Sequence, residues 1–148
     1  MTTAVHLATP EDRDRLLSLM ARAHEERGLR LDDHHRDRAT TPLLSGSPHG
    51  AIWLIGPQRA PLGYVILSFG WSVDLAALEG WLTDIYVRPS VRRRGIGTES
   101  LHGIAISLAQ SGLRALHLRL DPTDMALAHF AARAGFIAQA KALMTDPL

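Results

Sequence analysis

The residues best suited to do chemistry are gathered in one stretch, Arg92-Arg93-Arg94-Gly95-Ile96-Gly97-Thr98. Three guanidinium groups stand beside two glycines, and beyond Thr98 the apolar residues Leu101, Ile104, Ala105 and Leu108 recur at helical spacing. A glycine turn that opens a helix leaves several amide N–H groups unpaired at the positive end of the helix dipole, which makes an anion site. The chemistry this pattern suits is capture of a phosphate or pyrophosphate.

A strand must deliver that turn. Leu82, Ile85, Tyr86 and Val87 suit a buried strand over residues 80–87, which Arg88-Pro89-Ser90 ends because proline cannot donate to a ladder. No Gly-x4-Gly-Lys-Ser/Thr occurs, which excludes a Walker loop. A dinucleotide fingerprint fits poorly, since from Gly95 the third glycine position falls on Ser100 and the segment lies mid-chain.

Composition limits the rest. A chain of 148 residues suits one domain spanning 1–148, with a single core. There is no cysteine, so disulfides, thiolate metal sites and a cysteine nucleophile are excluded. The net charge of +1 gives no general attraction to nucleic acid, and no apolar run is long enough to span a bilayer. The expectation is a cytoplasmic protein with no membrane or nucleic-acid partner. Arg88 and the arginine run could still serve a nucleic-acid module, but few aromatics stand near them for stacking.

Taken in order, Val5-His6-Leu7 reads as a strand, and Thr9-Pro10-Glu11-Asp12 as the cap of a helix carrying Leu16, Leu17, Leu19, Met20 and Ala23, stopped by Gly28. Residues 32–39 read as a short polar helix ending before Pro42. His34 and His35 with Asp32, Asp33 and Asp37 invite a metal reading, yet the same offsets occur in any charged helix, and a solvated face is favoured. No metal is expected. Strands follow at 51–55 and 62–69, then a loop over 71–79 and the strand at 80–87, as an antiparallel meander. After the helix closed by Ser111-Gly112, residues 113–121 alternate as a strand that can lie parallel to 80–87 through a right-handed crossover. Pro122-Thr123-Asp124 caps a helix over 125–134, Gly135 stops it, and a last strand is expected to about Met144.

Arg92-x-x-Gly95-x-Gly97 after a strand, with Phe130 and Gly135-Phe136 at the end of the last helix, resembles the GCN5-related N-acetyltransferase (GNAT) family, whose marks are Gln/Arg-x-x-Gly-x-Gly/Ala and Ala-x-x-Phe-Tyr-x-x-x-Gly-Phe. The order of elements resembles that family over nearly the whole chain. Gly63-Tyr64-Val65 and the run from Leu82 to Val87 look most like the diamine and small-amine acetyltransferases. The resemblance implies an α+β GNAT fold: a central mixed, largely antiparallel sheet flanked by helices and splayed between its fourth and fifth strands. It implies acetyl-CoA as donor, held by Ile85, Tyr86 and Val87 along the arm, by Arg92, Arg93, Arg94, Gly95, Ile96, Gly97 and Thr98 at the phosphates, and by Asp124, His129 and Phe130 on the last helix. It also implies acetyl transfer to a primary amine of a small, polyamine-like acceptor by direct attack in a ternary complex, and a possible homodimer.

Such transfer needs a neutral amine, whereas primary amines have pKa values near ~10, so a base must take a proton. Asp84 is the first candidate and Glu79 the second. Where the diamine enzymes carry Leu-Glu-Asp, this chain has Leu82-Thr83-Asp84; where many relatives carry a tyrosine that protonates the CoA thiolate, it has Ala131. Tyr86, His129 or solvent could supply that proton, and solvent is favoured because a thiol of pKa ~8.5 leaves readily. The two departures also admit a catalytically impaired acyl-CoA-binding sensor, and acetylation of a peptide or protein amine is a further alternative. The acids Asp32, Asp33, Asp74 and Glu79 are expected to select a cationic acceptor.

Overall fold

Strict alternation on one strand organises the molecule. On β3 (Gly63–Ser72), Tyr64 and Ile66 face one side and Val65 and Leu67 the other, and all four are buried. A strand with two apolar faces must be covered on both. On the first side lies α1 (Arg13–Glu26), whose Leu16, Leu19 and Ala23 are essentially inaccessible, together with α2 (Asp33–Leu44). With Ile52, Leu54, Tyr64, Ile66 and Tyr86 these helices build one core. On the opposite side α3 (Ile96–Gln110) places Leu101 and Ile104 against Ile55, Val65, Leu67 and Leu82, with Phe130 of α4 (Met125–Arg133) beside them.

The computed structural model describes residues 3–148. Its sheet runs β1 (Val5–Leu7), β2 (Gly50–Ile55), β3, β4 (Ala77–Val87), β5 (Leu113–Leu118) in that order. The first four pair antiparallel and β4–β5 is parallel. This is the mixed α+β sheet expected from the sequence, flanked by helices on both faces.

Four boundaries differ from the sequence reading. Residues 71–79 are not a long loop: β3 and β4 pair out to Ser72↔Ala77 across a short turn. Trp71, Val73, Leu75 and Leu78 are exposed there, so no buried face marks the strands in the sequence. Helix α2 passes through Pro42, because Leu43 and the buried Leu44 anchor its last turn to the core. Strand β5 stops at Leu118, three residues early. No strand forms after α4; Ile137, Leu143 and Met144 are exposed, and the apolar spacing there has no sheet neighbour to bury it.

Candidate active site

Two irregularities on β4 create the site. The first is a bulge: Ile66 pairs with Asp84 and Leu67 with Leu82, so Thr83 has no partner on β3 and its hydroxyl donates to the Ile66 carbonyl at 3.1 Å. A bulge resets the alternation of side chains. Upstream of it Leu82 joins the α3-side core, and downstream Asp84 and Tyr86 turn toward α1 while Ile85 and Val87 face α3. The second irregularity is the end of the parallel ladder. Pairing with β5 stops at Leu82↔Leu118, so the β5-facing edge of residues 83–87 runs on without a strand beside it.

A cleft of about 650 Å³ occupies this gap and passes through the sheet. Ile96, Gly97, Leu127 and Phe130 line it on the α3 side, and Arg27, Asp84 and Tyr86 on the α1 side. Every cofactor residue expected from the sequence lines it except Arg94, and Asp124, His129 and Phe130 are brought there by α4. Asp124 also caps α4 by accepting from the Leu127 N–H at 3.0 Å.

The basic loop is wound tightly. A single 3₁₀ turn over Pro89–Val91 follows β4, and then Arg93 (φ 66°) and Gly95 (φ 75°) both take the left-handed conformation. Alternating hands of backbone turn successive N–H groups to one side, as in anion-binding nests. Gly95 accepts the first helical bond from Glu99 N–H at 2.9 Å, which leaves the N–H groups of Ile96, Gly97 and Thr98 without intrahelical acceptors. A side chain on Gly97 would meet Phe130, Val87 and Ile85 at 3.5–3.7 Å, so the bare glycine keeps the floor of the cleft open.

Arg92 does something the sequence did not indicate. Its Nη1 and Nη2 donate to Glu26 Oε1 and Oε2 at 2.5 and 2.6 Å, its Nε donates to the Val87 carbonyl at 2.8 Å, and it lies 5.5 Å over the Tyr86 ring. The Glu26 carboxyl is held below its ordinary range by these hydrogen bonds. Arg27, the residue that caps the C-terminus of α1, repeats the pattern by donating Nη2 to the Ile85 carbonyl at 2.9 Å while Nη1 stands 2.7 Å from Asp84 Oδ1. The two β4 carbonyls on the open edge are thus occupied by α1-linked guanidinium groups. Since N–H and C=O of one strand residue point to the same side, the Ile85 and Val87 N–H groups face the cleft.

Asp84 is engaged on both oxygens, for Oδ2 accepts from the Tyr64 hydroxyl at 2.8 Å. Tyr64 is fully buried, and burial first, then the Asp84 charge, pushes its phenol far above the usual range. Beside them His24, also buried, has its Nδ1 3.2 Å from Arg36 Nη1, and burial lowers its pKa. Ala131 is buried and does not line the cleft, whereas His129 does; Tyr86 is buried under Arg92. Of the acids expected to select an acceptor, Asp32 caps α2 by accepting from His35 N–H, Asp33 pairs with Arg36, and Asp74 lies in the β3–β4 turn. Glu79 lies on β4 upstream of the bulge and outside the cleft.

Residues 13–136 match the sequence profile of the acetyltransferase (GNAT) family. The chain belongs to the GNAT acetyltransferase family. Among solved structures this GNAT chain is similar to an integron cassette protein from the mobile metagenome of Cole Harbour Salt Marsh, at 30% identity and TM-score 0.85, covering 97% of this chain and 90% of that one. It shares its fold with an aminoglycoside acetyltransferase from an uncultured soil metagenomic sample, solved with sisomicin (14% identity, TM-score 0.78, 99% and 95% covered). The ribosomal-protein-alanine N-acetyltransferase of Brucella melitensis biovar Abortus 2308 has the same fold (16% identity, TM-score 0.78, 99% of both chains). No curated protein matches the chain. GNAT enzymes are N-acetyltransferases that draw on an acyl-CoA donor, and the family membership carries that chemistry to this chain.

Proposed function

We propose that this GNAT protein transfers the acetyl group of acetyl-CoA to a primary amine of a small molecule, by direct attack of the amine on the thioester within a ternary complex. The observation that carries this is the cleft between the parted ends of β4 and β5, with the glycine turn on one face and the Asp84–Arg27 pair on the other. The pyrophosphate would rest on the N–H groups from Arg92 to Thr98, the pantetheine would pair with the edge of Ile85 and Val87, and an edge N–H would polarise the thioester carbonyl as an oxyanion donor. Phe130, His129 and Asp124 would flank the cofactor from α4.

Asp84, the first candidate base in the sequence, is held by Arg27 and Tyr64 and must part from Arg27 before it can take a proton. The acids expected to select a polyamine-like acceptor stand outside the cleft: Asp32 and Asp33 are engaged on α2, Asp74 lies in the distal turn, and Glu79 meets His117. A catalytically impaired acyl-CoA sensor is the second reading, favoured by the commitment of Thr83 to the Ile66 carbonyl and of Asp84 to Arg27. Calorimetry with acetyl-CoA, followed by thiol release across a panel of primary amines, decides between them. Binding together with turnover on at least one amine supports the enzyme; binding without turnover on any supports the sensor.

A further inference from the structure

The α1-side face of β4 and β5 carries a polar cluster that lies beside the cofactor cleft. Leu82, Leu116 and Leu118 pack with the α3-side core, so strand alternation turns Trp81, Glu79 and His117 to the face on which Asp84 meets Arg27. His117 Nε2 is 2.9 Å from Glu79 Oε2, and the His117 ring lies against the Trp81 indole with centroids 4.7 Å apart. Beyond it the Arg119 guanidinium covers the same indole at 4.2 Å. With the imidazole neutral and Glu79 a carboxylate, which accepts and cannot donate, Nε2 carries the hydrogen toward Glu79 and the lone pair is on Nδ1. The side chains of His117 and Glu79 are 34% and 23% exposed, enough for a ligand to reach the imidazole.

Position and chemistry converge here. Trp81 pairs with His117, and the next pair, Leu82↔Leu118, is the last before the strands part. His117 therefore stands one residue before the cleft-lining Leu118, outside the lining itself and on the face away from the glycine turn. Asp84, the other candidate on that face, has both oxygens engaged. Resting on the N-acetyltransferase reading, we propose that His117 is the catalytic base that deprotonates the acceptor ammonium, with Glu79 as the residue that positions its ring.

In the step this assigns, the ammonium N–H bond breaks and its proton goes to His117 Nδ1, leaving the lone pair on nitrogen. That pair attacks the thioester carbonyl carbon; the C–N bond forms, the C–S bond breaks, and CoA departs as thiolate. The second amine proton is lost to water as the amide forms, the thiolate takes a proton from water, and His117 returns its own to solvent. The charged and titratable groups around the imidazole are Glu79 on β4, Arg119 just past the end of β5 and beyond Trp81, and the Asp84–Arg27 pair between β4 and α1.

The test measures thiol release from acetyl-CoA with spermidine, tyramine, L-lysine and glycinamide, and then takes the best acceptor through kcat and kcat/KM from pH 5.5 to 9. His117→Gln should lower kcat at least 100-fold, remove the acidic limb of the profile, and leave the Kd of acetyl-CoA within twofold. His117→Ala should regain activity with added imidazole, and Glu79→Gln should lower kcat about tenfold while displacing the acidic limb. A His117→Gln enzyme within threefold of the parent and with the same limb overturns the proposal, as does loss of activity with parallel loss of acetyl-CoA binding. A parent protein that binds acetyl-CoA but acetylates none of the amines instead overturns the underlying transferase reading, before any variant is made.

Discussion

Arg92 and Glu26, 66 residues apart in the chain, meet through two parallel hydrogen bonds of 2.5 and 2.6 Å. The pair ties the first residue of the glycine motif to the last turn of α1, and through Arg92 Nε to the Val87 carbonyl. Its first role is therefore to set the position of the loop relative to β4. Both side chains are more than a third exposed, so after solvent screening the pair adds no more than about 1 kcal/mol to stability. Because Glu26 is depressed in the folded state, this contribution is present above the unfolded carboxyl value of about 4.3 and is lost as pH falls through the lower folded value. Glu26→Gln should lower the urea midpoint slightly at pH 7, and the difference from the parent should shrink as pH falls below about 4.3.

Gly97 separates binding from folding. A methyl group there meets its neighbours at ordinary contact distance, and alanine in place of glycine within a helix gains about 0.5–1 kcal/mol of propensity. Gly97→Ala should therefore melt no lower than the parent. The same methyl stands in the floor of the cleft, and the Kd for acetyl-CoA should rise at least tenfold by calorimetry. An unchanged Kd would remove Gly97 from the cofactor site.

The Tyr64 hydroxyl is buried and has Asp84 as its acceptor. Tyr64→Phe removes a hydrogen bond to a charged group and should destabilise by about 1.5–3 kcal/mol in equilibrium urea unfolding. Because the phenol pKa is raised, its proton stays on throughout the working range, and this loss should be the same at pH 7 and pH 9.

His24 gives the fold an acid sensitivity. Burial, and then the Arg36 charge, lowers its pKa against the opposing pull of Asp84, so the folded protein keeps the imidazole neutral. The unfolded chain takes up the proton near the ordinary value of about 6.5, and from there stability falls as pH decreases. The urea midpoint should drop between pH 7.5 and 5, with a flatter dependence in His24→Gln.

The positions of the strands and helices that carry chemistry were legible because each has strong local marks: glycines and arginines at 92–97, Asp124 before α4, and apolar alternation on β2 and β3. The parallel β4–β5 pair followed from the helix between them. What the sequence hid is of another kind. The β3–β4 extension at 71–79 has no buried face, and the strand expected after Gly135 has the right spacing without a neighbour to accept it. The guanidinium groups of Arg27 and Arg92 on the Ile85 and Val87 carbonyls were illegible because such contacts join residues some 60 positions apart or turn a side chain back on its own loop. His117 reads in the sequence as an isolated histidine, for its partner Glu79 is 38 positions away and meets it only through the register of two strands. The pairing Glu79↔Ala115, one bulge removed from Leu78↔Leu113, brings the two together, and no count along the chain foretells a bulge.

The parting of β4 and β5 after Leu82 also leaves residues 83–87 as an open sheet edge. A cofactor arm that pairs with the edge of Ile85 and Val87 would act as a sixth strand segment made of another molecule, and its binding energy would become folding energy. At a hundred times its Kd such a ligand adds about 2.7 kcal/mol to the stability of the chain. The amount of folded protein in a cell would then track the local supply of acyl-CoA.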